Sequence, residues 1–323
     1  MQAYVYRCYG SADVLQLEEI EKPSAAKDEV VVKVRAAAAN PLDWHFMRGT
    51  PYLMRLMSGI GKPKEIRLGV DFAGTVESVG ANVTGFKPGD AVFGGATGAF
   101  GEYVTVSEEK ALALKPENVT FEQAAAAPVA ALTALQALRD KGQLKTGQKV
   151  LINGASGGVG TFAVQIAKSM GAEVTGVCST RNLEMVRSIG ADHVIDYTRE
   201  DYTENEQSYD LIIDMVGNHG LLENRKVLNP EGRLIMVGGP NELWIGPFIG
   251  PIQGLLLSSF VDQEFTMILA RLKKEDLETI GDLMQTGEVN PVIDRRFTLN
   301  ELPDAIRYSE AGRARGKIIV RVE

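Results

Sequence analysis

Two kinds of hydrophobic pattern divide the chain. Up to about residue 115, short Val-rich runs are separated by turn-forming clusters, as in Glu29–Arg35, Ala73–Val79 and Glu102–Val106. Short runs rich in β-branched residues and bounded by Gly, Pro, Asn and Asp are typical of β-strands. The first third of the chain is therefore predicted to be a β-rich domain.

From about Thr120 onward, helical patterns alternate with short apolar runs. The predicted helices are Phe121–Asp140, Val159–Met170, Arg181–Ile189 and Lys274–Thr286. The predicted strands are Lys149–Asn153, Glu173–Cys178, Val194–Asp196, Tyr209–Asp214 and Arg233–Val237. Strands that alternate with helices predict βαβ units and a doubly wound parallel sheet.

The end of the chain returns to β character with Lys317–Val322. The order of β-rich, α/β and β-rich segments predicts one α/β domain inserted near the end of a β domain. We expect residues 1–120 and 288–323 to form the β-rich domain and residues 121–287 to form the inserted domain. A length of 323 residues is consistent with two domains.

A glycine-rich turn joins the predicted strand Lys149–Asn153 to the helix after it. Its residues, at 154–160, are Gly154, Ala155, Ser156, Gly157, Gly158, Val159 and Gly160. In the G-x-G-x-x-G pattern, Ala155 stands at the first glycine, while Gly157 would let the backbone approach a pyrophosphate and Gly160 would let the helix pack on the strand. This context predicts dinucleotide binding; the alternative is a tight turn that binds nothing.

The end of the next strand indicates which dinucleotide binds. NAD-specific sites place an acidic residue there, but this chain has Ser179, Thr180 and Arg181, and no acid before Glu184. Two hydroxyls and a guanidinium suit a 2′-phosphate, which predicts NADP(H). The alternative is that Arg181 lies at a solvated helix start.

Charge and cysteine content narrow the class of protein. Lys plus Arg is 34 and Asp plus Glu is 42, which gives a net charge of −8. Such a chain lacks the positive field that favours nucleic acid or an anionic membrane surface. Two cysteines do not make a disulfide framework, and the first ten residues have no apolar signal-peptide core. We therefore expect a cytoplasmic protein with no nucleic-acid partner.

One apolar segment is long enough to span a membrane. Residues 243–261 contain no charged residue. They also contain five helix-breaking residues, namely Gly246, Pro247, Gly250, Pro251 and Gly254. We therefore expect no membrane span, but either a buried strand and loop at a subunit interface or an apolar wall of a substrate pocket, and the two can both hold.

Six sequence motifs together resemble a known superfamily. They are Ala39–Asp43 (ANPLD), Gly69–Val76 (GVDFAGTV), Phe86–Val92 (FKPGDAV), Ala131–Ala134 (ALTA), the glycine turn and Gly190–Asp192 (GAD). With them, essentially the whole chain resembles the medium-chain dehydrogenases/reductases, and within them the zinc-free quinone oxidoreductase branch. The resemblance implies a GroES-like catalytic domain with an inserted Rossmann domain.

The zinc ligands of that superfamily are not found at the matching positions. The zinc branch has a Cys where this chain has Asn40, and a Gly-His-Glu where it has Gly69-Val70-Asp71. The cysteines and histidines of the chain also lack metal-binding spacing; they are Cys8, Cys178, His45, His193 and His219. We expect no metal.

The absence of zinc limits the chemistry, because oxidising a plain alcohol normally needs a Lewis acid. Quinones and α,β-unsaturated carbonyls spread the accepted charge by conjugation and need less help. The expected function is therefore NADPH-dependent reduction of quinones or enones. The alternatives are a metal-free NADP-dependent alcohol dehydrogenase and an NADPH-binding sensor without turnover.

Three residues are candidate catalytic groups. Asn40, at the zinc Cys position, is expected near the nicotinamide, where its amide would donate to a substrate carbonyl; it is equally consistent with a turn-stabilising residue. His45 stands where quinone reductases of the branch often have Tyr, and Tyr52 follows on the next loop. Either would donate a proton, although both are also consistent with ordinary packing or surface roles. Asp43 is expected to anchor the loop.

The resemblance also implies cofactor contacts outside the glycine turn. It assigns Thr133 and Gly238-Gly239 to the nicotinamide, Tyr197 to the 2′-phosphate end, Val216-Gly217 to the adenosine ribose and, more loosely, Lys317 to the cofactor. The alternatives are purely structural: a helix-capping role for Thr133 and strand-end glycines for the other positions. The family also pairs the sheet edge around residues 232–239, which implies a homodimer.

Overall fold

A computed structural model describes residues 1–238 and 261–322. By its internal contacts the chain divides into two units. The β-rich unit comprises Met1–Leu132 and Leu272–Glu323, and the α/β unit comprises Thr133–Arg271. The expected fold class, a GroES-like β-rich domain with an inserted Rossmann domain, is confirmed.

The strands and helices follow in chain order. The strands are β1 (Gln2–Val5), β2 (Gln16–Glu19), β3 (Glu29–Ala39), β4 (Asp71–Val79), β5 (Ala91–Gly95), β6 (Tyr103–Ser107), β7 (Leu112–Leu114), β8 (Lys149–Asn153), β9 (Glu173–Cys178), β10 (His193–Asp196), β11 (Tyr209–Asp214), β12 (Leu228–Met236), β13 (Glu264–Met267), β14 (Ile293–Thr298) and β15 (Lys317–Arg321). The helices are α1 (Pro41–Arg48), α2 (Arg55–Ser58), α3 (Phe121–Ala125), α4 (Pro128–Gln136), α5 (Gly158–Ser169), α6 (Leu183–Ser188), α7 (Leu221–Lys226), α8 (Lys274–Thr286) and α9 (Leu302–Glu310).

The β-rich unit is built on one mixed sheet with the order β14-β15-β3-β4-β5-β7, and β6 also pairs with β3. Strand β3 is central: β4 pairs along one side, while β15 and β6 share the other. Alternate valines of β3, at Val30, Val32 and Val34, are fully buried in the core of this unit. Leu302 and Ile306 of α9 pack into the same core.

The α/β unit contains a six-stranded parallel sheet with the order β10-β9-β8-β11-β12-β13. The chain winds outward in both directions from β8 and β11, which lie side by side at the centre. In such sheets the carboxyl ends of the two central strands form the point where ligands bind. The glycine turn after β8 lies at this point.

The predicted helix Phe121–Asp140 is wrong as a single element. Pro128 separates α3 from α4, because a proline disfavours helical backbone in the residue before it and can begin a new helix. After Gln136 the backbone continues as one π-helical stretch, Ala137–Lys141. The helix is thus replaced by three shorter elements.

The two units divide at different points from the expected domain boundaries of 120/121 and 287/288. Helix α3 packs on β3 and β4, and α8 packs on β7, so both lie in the β-rich unit. The sequence pattern assigned them to the inserted domain because they are helical. Packing partners, and not the type of element, decide the division.

The apolar segment 243–261 lies outside the described residues, except for Val261. Within residues 1–238 and 261–322, no helix has the length and apolar character that a bilayer span needs.

Candidate functional site

Three strand ends of the β-rich unit meet at one place. The register pairs Ala38 of β3 with Asp71 of β4, and Ala39 of β3 with Ile318 of β15. Asn40, which follows β3, therefore lies between the first residues of its two neighbouring strands, Asp71 and Lys317. Sequence reasoning had no local signal for this cluster, since Asp71 and Lys317 are 246 positions apart.

These three side chains form a buried polar cluster. The Lys317 ammonium donates to the Asn40 amide oxygen, and its Nζ lies 3.2 Å from Asp71 Oδ2. The Asn40 Nδ2 donates to the same Asp71 oxygen at 3.0 Å. The other Asp71 oxygen accepts the backbone N–H of Val129 at 2.9 Å. Lys317 and Asp71 have side-chain exposures of 3% and 0%, so the ion pair is shielded from water.

Asp43 fixes the start of helix α1. Its Oδ2 accepts the backbone N–H of Asn40 at 2.7 Å, and the Asn40 side chain makes no capping bond. Burial, aided by the nearby Asp71 charge, raises the pKa of the Asp43 carboxyl to about 7, although the hydrogen bond from the Asn40 backbone and the Lys317 charge both act to lower it. Asp43 thus anchors the loop, as expected from the sequence, but as a group that titrates near neutral pH.

His45 lies one turn into α1, half-buried, with its ring stacked on Trp44 at 3.7 Å between ring centroids. Its Nδ1 lies 2.8 Å from the carbonyl oxygen of Thr50. Because a carbonyl only accepts, Nδ1 carries the hydrogen and, in the neutral ring, Nε2 is an acceptor. Burial lowers the pKa of His45. The imidazolium that a proton donor requires is therefore scarce at neutral pH.

Tyr52 begins a short 3-10 turn, Tyr52–Met54, directly before α2. It is partly exposed, and the Arg55 guanidinium lies 4.7 Å from the centre of its ring. The segment that follows is apolar on the outside, because Leu56, Met57 and Ile60 are exposed by 63% or more.

Two glycines of the glycine turn in the α/β unit, Gly160 and Gly157, have different roles. Gly160 is required by the protein itself, since a Cβ there would lie 2.1 Å from the carbonyl oxygen of Gly154. Gly157, the residue before α5, has an ordinary φ of −83°, and its Cβ would meet only the Gly154 oxygen at 3.4 Å. Packing within the protein does not require glycine at 157. The open space there fits the close approach of a pyrophosphate to the first turn of α5.

A carboxylate that sequence reasoning missed organises the neighbouring strand end. Asp214, the last residue of β11, is buried, and its Oδ1 accepts the backbone N–H groups of Val216 and Gly217 at 3.0 and 2.9 Å. The same oxygen accepts from the side-chain amide of Asn153, the last residue of β8, at 2.9 Å. This bond ties together the two strand ends that flank the ligand-binding point. An acid at the end of a predicted central strand was the available signal.

The end of β9 places Ser179, Thr180 and Arg181 in sequence, with Thr180 and Arg181 exposed. The Thr180 hydroxyl donates to Asp196 Oδ2 at 2.5 Å. Asp196 ends the adjacent strand β10, and hydrogen bonds from Thr180 and Thr198 lower the pKa of its carboxyl. Tyr197 follows it and is 60% exposed. The predicted 2′-phosphate residues thus lie close to one ionised carboxylate that the sequence pattern did not reveal.

The other residues assigned to the cofactor lie in different surroundings. Thr133 is buried, and the backbone N–H of Gly238 lies 3.3 Å from the carbonyl oxygen of Asp214. Gly239 lies outside the described residues. Lys317 belongs to the β-rich unit, where its ammonium is engaged with Asn40 and Asp71.

No set of three or more His, Cys, Asp or Glu side chains in residues 1–238 and 261–322 is arranged to hold a metal ion. At the positions matching the zinc ligands, Asn40 and Val70 supply neither a thiolate nor an imidazole.

Two family models match the chain. Residues 26–117 match the alcohol dehydrogenase GroES-like domain, and residues 189–320 match the zinc-binding dehydrogenase family. The positions that match the superfamily's zinc ligands, Asn40 and Val70, lie within the first matched stretch and not within the second.

Similarity to named proteins over nearly the whole of this chain agrees with these matches. A chloroplast envelope quinone oxidoreductase homolog of Arabidopsis thaliana is 35% identical over 99% of this chain and 98% of that protein. An NADPH-dependent alkenal/one oxidoreductase of the same plant is 33% identical over 99% of this chain and 79% of that protein. The solved quinone oxidoreductase of Coxiella burnetii has a TM-score of 0.88 and 30% identity, covering 100% of this chain and 99% of that one.

A β-rich GroES-like unit and a parallel-sheet unit with a glycine turn at its central strands define an oxidoreductase that uses a nicotinamide cofactor. The chain belongs to the medium-chain dehydrogenase/reductase superfamily, in its quinone oxidoreductase branch. The resemblance inferred from the sequence motifs is confirmed.

Proposed function

We propose that the protein is an NADPH-dependent, zinc-independent reductase that transfers hydride to quinones or α,β-unsaturated carbonyls. The observation that carries this proposal is the open space over Gly157 at the head of α5, in a chain whose full-length relatives are named as quinone and alkenal/one oxidoreductases. Glycine at 157 serves a ligand and not the fold.

The residues of the α/β unit fit a dinucleotide. The backbone of residues 154–160 and the N-terminus of α5 would hold the pyrophosphate, and the Val216-Gly217 turn, ordered by Asp214, would hold a ribose. The bound cofactor supplies a hydride. The protein binds and orients the reactants and stabilises the charge that develops on the acceptor oxygen.

Preference for NADP over NAD is proposed on Ser179, Thr180 and Arg181 at the end of β9. Arg181 offers a guanidinium that matches a 2′-phosphate. The carboxylate of Asp196 opposes an anion nearby, but it already accepts hydrogen bonds from Thr180 and Thr198. One relative is itself named NADPH-dependent.

The nucleotide preference is tested by Arg181→Ala, with Arg187→Ala on α6 as a control that removes the same charge. The ratio of kcat/KM for NADPH to that for NADH is expected to fall at least about tenfold in the first variant, the loss of one charged contact. It is expected to stay unchanged in the second. An unchanged ratio in Arg181→Ala would remove the 2′-phosphate assignment.

The substrate class is tested by following NADPH consumption with a panel of quinones, enones, saturated aldehydes and ketones. Consumption confined to conjugated acceptors is expected. Oxidation of simple alcohols with NADP⁺ would favour a metal-free alcohol dehydrogenase. Tight NADPH binding without consumption on any acceptor would favour a sensor.

For the acceptor, we propose that Asn40 donates to its carbonyl oxygen and that Tyr52 supplies the proton. His45 is the weaker donor candidate, because burial lowers its pKa and its Nδ1 hydrogen is bound to Thr50.

Retention of full activity after metal removal with a chelator is expected, and stoichiometric zinc in the active protein would overturn the zinc-independent mechanism.

We also propose a homodimer and a cytoplasmic location. The expected pairing edge around residues 232–239 is not an edge of the described sheet, because β13 pairs with Arg233–Met236 of β12 and itself lies outermost. The homodimer is tested by sedimentation of the purified protein, for which a mass near twice 35.0 kDa is expected. The cytoplasmic location is tested by cell fractionation, since both Arabidopsis relatives are named as chloroplast proteins.

A further inference from the structure

The side-chain amide of Asn40 is held by two groups of opposite hydrogen-bonding character. Lys317 has an ammonium that can only donate, and it faces the amide oxygen. Asp71 has a carboxylate that accepts, and it faces the amide nitrogen at 3.0 Å. The two sides of the amide are therefore chemically distinguished by their partners.

An amide flip is disfavoured at this position. Turned over, the amide would place its NH₂ group against the Lys317 ammonium and its oxygen against the Asp71 carboxylate. Both contacts would join groups of like partial charge in a buried cluster, where unsatisfied polar groups are most costly. The cluster allows one orientation only.

The second Nδ2 hydrogen of Asn40 has a weaker partner. Besides Asp71, the Asn40 Nδ2 contacts the backbone oxygen of Ala38 at 3.4 Å, which is beyond the usual range for an N–H···O bond. This hydrogen is the one that a stronger acceptor could take. A carbonyl oxygen that gains negative charge during hydride transfer is such an acceptor.

We propose that Lys317 and Asp71 are positioning residues that lock the Asn40 amide so that its second Nδ2 hydrogen is presented to the substrate carbonyl. The proposal rests on the reductase function proposed above. It assigns Lys317 to the orientation of a substrate-binding group, and not to a direct contact with the cofactor.

Two variants are compared to separate the effect of holding the Asn40 amide in one orientation from the effect of leaving a buried charge unpaired. Lys317→Met leaves the carboxylate of Asp71 buried without its counter-charge, so loss of folding alone would explain a low activity. The double variant Lys317→Met/Asp71→Asn keeps the cluster neutral. The amide that replaces the carboxylate both donates and accepts, so it no longer distinguishes the two ends of the Asn40 amide. Lys110→Met, at an exposed position of the same unit, is the matched control.

In the folded double variant, kcat for the best acceptor is expected to fall about tenfold or more, whereas the KM for NADPH stays constant. Asn40→Ala is expected to lower kcat by about 100-fold, the size typical of one lost donor to a developing oxyanion. Adding the double substitution to Asn40→Ala is expected to cause no further loss, because the group it positions is gone. An equal further loss in that background would overturn the lock.

A measurement without turnover keeps this result separate from the proposed function. In the full chain labelled with ¹⁵N at asparagine, the side-chain amide signal of Asn40 is identified by its absence in Asn40→Ala. Its two proton shifts are expected to move in the double variant and to stay fixed in Lys110→Met. If they do not move in the double variant, Lys317 and Asp71 do not hold the amide, whatever the protein reduces. If they move but no acceptor is reduced, the orientation stands and the reductase assignment fails.

Discussion

At the residue scale, chemistry depends on burial, which the sequence does not display. The motif around Asn40 placed Asn40 and Asp43 near the expected site, but not their partners, because Asp71 and Lys317 join them only through the register of β3, β4 and β15. The sequence likewise left His45 and Tyr52 as equal proton donors. Burial and the bond to Thr50 separate them.

Asp43 makes stability depend on pH. Its folded pKa of about 7 lies above its ordinary value of 3.8, so the folded state holds the proton more tightly than the unfolded state does. The free energy of unfolding is therefore expected to decrease as pH rises from about 4 to about 7. Asp43→Asn is expected to remove a part of that decrease on the order of 1–4 kcal/mol, measured by urea unfolding across this range. Asp282→Asn, at an exposed position on α8, is the control; parallel curves for all three proteins would contradict the argument.

The proton donor is distinguished by two conservative substitutions. Tyr52→Phe removes only a hydroxyl and is expected to lower kcat about tenfold or more, with a larger solvent isotope effect, since the proton must then come from water. His45→Asn keeps a donor for Thr50 and is expected to change kcat less than about twofold, by the same reasoning. The reverse ranking of the two variants would make His45 the donor.

At the element scale, the central strands of the α/β unit were predicted well, because each buried strand is bounded by turn residues. Strands β8, β9 and β11 have the predicted bounds, as does helix α8 of the β-rich unit. Helices α5 and α6 and strand β10 differ from the predicted bounds by one or two residues at an end. Two larger differences have local causes: Pro128 breaks the predicted helix Phe121–Asp140, and β12 begins at Leu228 instead of Arg233. The sequence pattern predicted β12 too short because Pro230 and Gly232, residues disfavoured in strands, lie within it.

The turn between β8 and α5 makes the two roles of glycine measurable. Gly160→Ala would force a Cβ to within 2.1 Å of a backbone oxygen and is expected to destabilise the protein by about 3 kcal/mol. Gly157→Ala meets nothing closer than 3.4 Å and is expected to change stability by less than about 1 kcal/mol. The Kd for NADPH in that variant is nevertheless expected to rise at least about tenfold, because the methyl group occupies the phosphate space. Calorimetry and fluorescence titration give the two quantities; normal NADPH binding by Gly157→Ala would move the pyrophosphate elsewhere.

At the scale of the whole molecule, the order of elements along the chain predicted two units, but not their exact limits. A β-rich unit completed by the C-terminal strands was expected from the return of β character at Lys317–Val322. The assignment of α3 and α8 to that unit depends on what they pack against, β3 and β4 for one and β7 for the other. Amphipathic pattern alone cannot identify a packing partner.

Ligand binding is expected to stabilise the unit that holds the cofactor. At an NADPH concentration of about 100 times Kd, ligand binding adds about 2.7 kcal/mol to the free energy of the local unfolding that exposes backbone amides to water. Hydrogen exchange of amides that depend on this unfolding is then slowed about 100-fold. We expect this slowing for backbone amides of β8 and β11, whose ends flank the glycine turn, measured by hydrogen exchange with and without NADPH. Gly157→Ala at the same concentration is expected to show a much smaller change, because it folds but binds weakly. Equal slowing in that variant would mean that the protection does not come from a dinucleotide at the head of α5.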